Sequence, residues 1–180
     1  MIRLFVALDI PAPLRQRLHA MGKDIPGARP APRDQIHLTL RFIGEVDDGM
    51  ALDIEASLAA VRSPPFSLSV RGVGCFPHRG TPRVLWAGLS ESRELDILHT
   101  HIENRLIACG LPPEPGKFSP HITLARLRDC PRRQADAFLA DKALFRSEDF
   151  PVEGFVLYAS RLLKSGAVHV ARASWPLGAT

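Results

Sequence analysis

"IHLTLRF" at residues 36–42 and "PHITLAR" at residues 120–126 decide how this chain is read. Each writes His, an apolar residue, Thr and Leu in the same order. Polar and apolar residues alternate, so each stretch reads as a strand whose successive side chains take opposite faces. On the first strand His37 and Thr39 share one face, and Leu38 and Leu40 the other. On the second, His121 and Thr123 stand opposite Ile122 and Leu124. The apolar face belongs to a core. An imidazole beside a hydroxyl on the other face calls for a reason, and two copies call for it twice.

The surroundings repeat as well. A Pro-rich loop, "IPGARPAPRDQ" at 25–35, leads into the first copy, and "LPPEPGKFSP" at 111–120 leads into the second. A helical pattern follows each: Leu52, Ile54, Leu58 and Val61 after a cap at Asp47 or Asp48, and residues 132–145. Outward from these, residues 2–9 read as an apolar strand, and 11–21 as a helix carrying Leu14, Leu18 and Met21. Residues 66–76 and 83–89 read as strands split by the turn-like "PHRGTP" at 77–82. Residues 91–109 form a helix through Leu95, Leu98, Ile102, Leu106 and Ile107, and 154–162 and 167–175 are strands joined by a turn at "LKSG", 163–166. The order predicts an α+β fold: two pseudo-symmetric lobes, each a mostly antiparallel sheet with outer helices, and a central cleft. Residues 1–180 are expected to form one two-lobed domain with an internal duplication.

Composition bounds the rest. With 180 residues, 46% hydrophobic and 23% charged, the chain is of ordinary globular type and long enough to bury a core. No apolar run approaches the roughly 20 residues of a membrane helix. The start, "MIRLFVALDIPAP", alternates and is interrupted by Asp9, so it reads as structure and not as a signal peptide. Three scattered cysteines, Cys75, Cys109 and Cys130, match neither a disulfide framework nor a zinc ribbon, and point to a reducing, cytoplasmic setting. A net charge of +4 suits a polyanion without singling one out.

Two His/Thr pairs facing each other make one acid, one base and two hydrogen-bond donors around a central anion. That inventory suits cleavage of a phosphate ester. Imidazole serves either task because both of its forms are accessible near neutrality. No metal is needed, and a zinc site at His37 and His121 would lack a third ligand at motif spacing. His99 and His101 fall on different faces of a helix, His19 on a solvated helix face, His78 in a turn, and His169 on a late strand that faces either way.

Taken with their flanks, the doubled motifs resemble the two-histidine phosphoesterase superfamily, and within it the RNA 2′,3′-cyclic phosphodiesterases, also called 2′-5′ RNA ligases. The likeness spans nearly the whole chain: "RLFVALDIP", "HLTLRFIGEV", "RVLWAG", "FSPHITLAR", "GFVLYASRL" and "SWPL". The extended motifs are intact as His37, Thr39, Phe42 and as His121, Thr123, Arg126. The resemblance implies metal-independent hydrolysis of RNA 2′,3′-cyclic phosphate ends to 2′-phosphates. It implies His37 as general acid for the leaving O3′ and His121 as general base for the attacking water. Thr39, Thr123 and Arg126 would hold the phosphate, and Phe42 would stack on the terminal base. It implies no cofactor, no metal and no membrane, a monomer, and as partners RNA ends or small cyclic nucleotides. Reversible 2′-5′ ligation at the same site, or a non-catalytic module that binds RNA ends, are the alternatives. At His169, where the family often has Tyr, no role carries over.

Strict alternation conflicts with part of this. It puts Arg41 on the face of His37, as groove charge, and turns Phe42 and Arg126 away. Bringing Phe42 and Arg126 back to the site needs a bulge, or the strand's end, to re-aim them.

Overall fold

The computed structural model describes residues 1–128, 130–163 and 166–178. Its strands are β1 (Ile2–Asp9), β2 (Ala28–Pro30), β3 (His37–Val46), β4 (Phe66–Leu68), β5 (Val70–Phe76), β6 (Val84–Leu89), β7 (His121–Leu127), β8 (Phe150–Val152), β9 (Gly154–Leu163) and β10 (Gly166–Pro176). Its helices are α1 (Ala12–Gly22), α2 (Asp48–Leu58), α3 (Arg93–Ala108) and α4 (Arg132–Lys142). A 3-10 turn occupies Arg33–Gln35. The expected turn at 163–166 falls partly on Lys164 and Ser165, outside the described residues.

Local chemistry explains the helix starts. Asp47 accepts from the Met50 amide at 2.8 Å to cap α2, and Ser92 caps α3 through the Leu95 amide at 3.1 Å. A proline in the first turn opens α1. The buried stripes are Leu14, Leu18 and Met21 on α1 and Leu95, Leu98, Ile102 and Leu106 on α3. Leu52 and Ile107, grouped with the apolar stripes by periodicity, are 60% and 40% exposed instead.

The main sheet runs β10-β9-β1-β3-β7-β6-β5, with β2 also on β7, and every pairing is antiparallel. Two lobes meet in its middle, where β3 and β7 pair through the single position Leu38↔Ile122. The helices cross between the lobes: α1 packs on β7 and β2, and α3 packs on β3 and α2. Leu38, Leu40, Ile122 and Leu124 are each at most 1% exposed within the core cluster. Burial of such side chains stabilises the fold by about 1.5–3 kcal/mol each. The stretch 66–76, expected as one strand, breaks after Leu68, and β4 pairs with β8 in a separate two-stranded sheet. The cysteines are unpaired. No helix among the described residues is long and apolar enough to cross a membrane.

Candidate active site

Each motif strand carries a bulge, at corresponding residues. Along β1, Val6 pairs with Arg41 and Ala7 with Thr39, which leaves Leu40 as the extra residue of β3. Along β6, Leu85 pairs with Ala125 and Trp86 with Thr123, which leaves Leu124 as the extra residue of β7. Each bulge reverses the phase of the strand. Leu40 and Arg41 are therefore both buried, as are Leu124 and Ala125, and Phe42 and Arg126 return to the face of the histidines. A second irregularity, at Ile43, follows Phe42, and there Gly44 takes φ 91°, a backbone conformation that favours glycine.

The polar face lines a groove of about 880 Å³. It holds His37, Thr39, Phe42, His121, Thr123 and Arg126 together. Phe42 is 60% exposed, free to meet a ring laid on it. Antiparallel register through Leu38↔Ile122 sets His37 beside Thr123 and Thr39 beside His121. It also sends the two strands out in opposite directions. The groove thus runs from Phe42, past Thr39 and His121, past His37 and Thr123, to Arg126.

The histidines are held alike. His121 Nδ1 lies 2.8 Å from the carbonyl oxygen of Ser119. A carbonyl only accepts, so Nδ1 carries the hydrogen and Nε2 is left with its lone pair. The His37 ring donates to the main chain of Gln35, the matching position two residues upstream. Aromatic walls differ. His37 stacks on Phe5 at 4.9 Å, and Phe5 stacks on Tyr158 at 5.3 Å. The Tyr158 hydroxyl donates to Asp9 at 2.6 Å, and burial with that bond pushes its pKa up, so it stays protonated. His169 meets His37 edge-on at 5.6 Å. On the other side Phe76 meets His121 edge-on at 5.0 Å. Trp86 backs them both, lying so flat over Gly74 that a Cβ there would meet the indole at 2.1 Å.

Burial pushes the pKa of His37 down to about 4, helped by the charge of His169, against the pulls of the Gln35 hydrogen bond and Asp9, with His121 adding a little. The consequence for stability has a definite sign. Between pH 6.5 and about 4 the unfolded ring takes up a proton that the folded ring does not. Stability therefore falls as pH falls through that window and levels off below it. The full shift corresponds to about 3 kcal/mol, and partial exposure of the ring reduces it to about 2. Urea midpoints at pH 7 and pH 4.5 should show that fall in the wild type and a smaller one in His37→Gln. An unchanged slope in the variant would remove His37 as the source.

Arg41 does not supply groove charge. It is 6% exposed and points into the core side, where Nε donates to Glu103 at 2.6 Å. His19 is not simply solvated either, since its Nδ1 binds the Ala31 carbonyl at 2.8 Å. His99 stacks on Phe118 at 3.8 Å, away from the groove. Among the described residues no group of three His, Cys, Asp or Glu side chains is placed to hold a metal ion. Phe5, Tyr158, Phe76 and Trp86 were not singled out from the sequence. The signal for Phe5 was available: Leu4–Leu8 is an unbroken apolar run, the mark of a strand buried on both faces.

Comparison with known proteins follows the same two-part pattern. The family model for LigT like phosphoesterase matches residues 8–86 and 88–169, one motif in each segment. An RNA 2′,3′-cyclic phosphodiesterase of Thermus thermophilus is 38% identical over 180 residues, covering 93% of this chain and 86% of that protein. One from Thermotoga maritima is 31% identical over 179 residues, covering 93% and 91%. Among solved structures, TT0787 of Thermus thermophilus superposes with a TM-score of 0.80 at 31% identity, over 97% of both chains. E. coli LigT complexed with 3′-AMP gives 0.80 at 26% identity, over 99% of both.

Proposed function

The chain belongs to the LigT-like phosphoesterase family, and from that premise we propose that it hydrolyses RNA 2′,3′-cyclic phosphate ends to 2′-phosphates without a metal. The observation that carries the reading is the pair of His/Thr couples brought to one groove face at Leu38↔Ile122. The cyclic phosphate diester, a monoanion, lies between the two rings. The Thr39 and Thr123 hydroxyls donate to its non-bridging oxygens. The Arg126 guanidinium adds a charge-assisted hydrogen bond.

The direction of the groove supports one assignment of roles. With the terminal base on Phe42, the C1′ side of the ribose lies toward that end. The C3′ and C4′ side then lies toward His37 and Arg126. O3′ is thereby next to His37, and displacement in line brings the water in from the His121 side. His121 Nε2 takes the water proton as the O–P bond forms. The P–O3′ bond breaks, and His37 gives O3′ its proton. The product is a 2′-phosphomonoester with a free 3′-hydroxyl. A depressed pKa suits His37 to this task once the bound anion has charged it, because the ring gives its proton up readily. Stacking on Phe42 contributes about 1–3 kcal/mol without strict choice of base.

The test uses the purified chain, EDTA in excess, and a short RNA ending in a 2′,3′-cyclic phosphate. The expected result is a new 2′-phosphate end at an undiminished rate. A 3′-phosphate product would reverse the direction in which the ribose is laid. Loss of activity on chelation would end the metal-free reading. Tight binding with no turnover would make the chain a module that holds RNA ends.

A further inference from the structure

Arg126 does not stand alone at its end of the groove. β2 pairs antiparallel with β7 there, and Arg29 is directly opposite Arg126. Both side chains are exposed and both line the groove. Directly opposed side chains on one sheet face are close neighbours, and like charges in that relation repel. Among the described residues neither guanidinium meets a carboxylate within ion-pair distance. The cyclic phosphate carries one negative charge and already has two histidines, two hydroxyls and Arg126 around it. A second guanidinium beside Arg126 exceeds what that anion needs.

Position says which anion it meets. In a ribonucleotide the base leaves the ring at C1′ and the 5′-phosphate leaves from C4′, at the opposite end. With the base over Phe42 and the cyclic phosphate between the histidines, the 5′-phosphate points along the groove to the β2/β7 end. We infer that Arg29, side by side with Arg126, binds the phosphodiester immediately upstream of the terminal nucleotide. The groove is thereby built for the ends of RNA strands rather than for free cyclic nucleotides. Pro30 follows Arg29 directly and restricts the backbone that carries it. This inference rests on the function proposed above.

The experiment compares two substrates on the wild-type chain, Arg29→Ala and Arg29→Lys. One is a nucleoside 2′,3′-cyclic phosphate, which has no upstream phosphate. The other is a trinucleotide with the same terminal nucleoside and cyclic end. The ratio of their kcat/KM values, trinucleotide over mononucleotide, is expected to fall about tenfold in Arg29→Ala and to be partly restored in Arg29→Lys. Removing one phosphate contact should also flatten the salt dependence of log kcat/KM on the trinucleotide by roughly 0.7. An unchanged ratio would overturn the inference, whether both substrates slow equally, with Arg29 at the reacting phosphate, or neither does. Wild-type protein that leaves both substrates intact would overturn the proposed function itself. Thermal unfolding of the free variants separates these outcomes from misfolding, because loss of an exposed, repelled arginine should not lower Tm.

Discussion

Replacing His37 by Ala should lower kcat on an ordinary RNA cyclic phosphate by about 10²–10⁴-fold, yet leave most of the rate on a substrate whose leaving 3′ oxygen is sulfur. The argument turns on the leaving group. An alkoxide is a poor leaving group and needs the proton that His37 supplies. A thiolate is stable near neutrality, since a thiol of the cysteine type has a pKa of about 8.5. It departs without that proton, so the sulfur substrate makes the acid dispensable. His121→Ala should lose a similar factor on the oxygen substrate and recover nothing with sulfur, because the water still lacks a base. The double variant should be little worse than either single one, as expected for groups that act in the same step. Rescue of His121→Ala in place of His37→Ala would exchange the two roles while leaving the site intact. Rescue of neither would mean that the histidines only hold the phosphate. A pH profile cannot make this distinction. Its limbs belong to the pair, and the profile has the same form whichever ring holds the proton.

The phase of the two motif strands was legible because it needs only the alternation of His37, Leu38, Thr39 and Leu40 and its repeat at His121 to Leu124. The α+β order of elements followed from periodicity and from the proline and glycine punctuation. The helix cap at Asp47, expected there or at Asp48, acts over three residues, and such a local signal survives in a one-dimensional reading, whereas the cap at Ser92 is seen only in the fold. The bulges were not legible in this way. Leu40 and Leu124 look like any strand leucine, and what makes each an extra residue is the partner strand, β1 or β6. Alternation alone therefore sent Arg41 to the groove and Phe42 to the core, the reverse of what is found. Only the resemblance to a known family pointed to Phe42 and Arg126. Strands β2 and β8 span three residues each and carry too little pattern to be detected. The opposition of Arg29 and Arg126 depends on the first of them, and only the folded sheet brings the two together.

Arg41 gives the largest expected effect on stability, and it follows from the bulge that turned it inward. Its guanidinium joins three parts of the fold. Nε donates to Glu103 on α3, Nη1 to the carbonyl of Phe42, and Nη2 to the carbonyl of Pro112, each at 2.6 Å. Glu103 in turn accepts the amide hydrogen of Glu114 at 2.7 Å, so the loop that leads to His121 is tied to the same pair. The side chains of Arg41 and Glu103 are 7% and 15% exposed. Removing Arg41 leaves the Glu103 carboxylate with little water and only the Glu114 amide, and removing Glu103 leaves the guanidinium with two carbonyls and the Glu114 carboxylate at 3.9 Å; breaking such a buried pair typically costs about 3–5 kcal/mol. Arg41→Ala should therefore lower Tm by on the order of 10 °C in a chain of this size. Glu103→Ala should do much the same. The double variant should lose less than the sum, because the second substitution removes the charge that the first had stranded. Arg41→Met, which fills the space without charge, keeps the packing but still leaves Glu103 unpaired, so it should recover only part of the loss in Arg41→Ala, and the rest should return on adding Glu103→Leu. A cost below 1 kcal/mol for Arg41→Ala would place the guanidinium in water and deny it a part in fixing the bulge. A large cost together with a raised KM would tie the burial of Arg41 to the outward turn of Phe42, the next residue along the strand, whose own carbonyl the guanidinium holds.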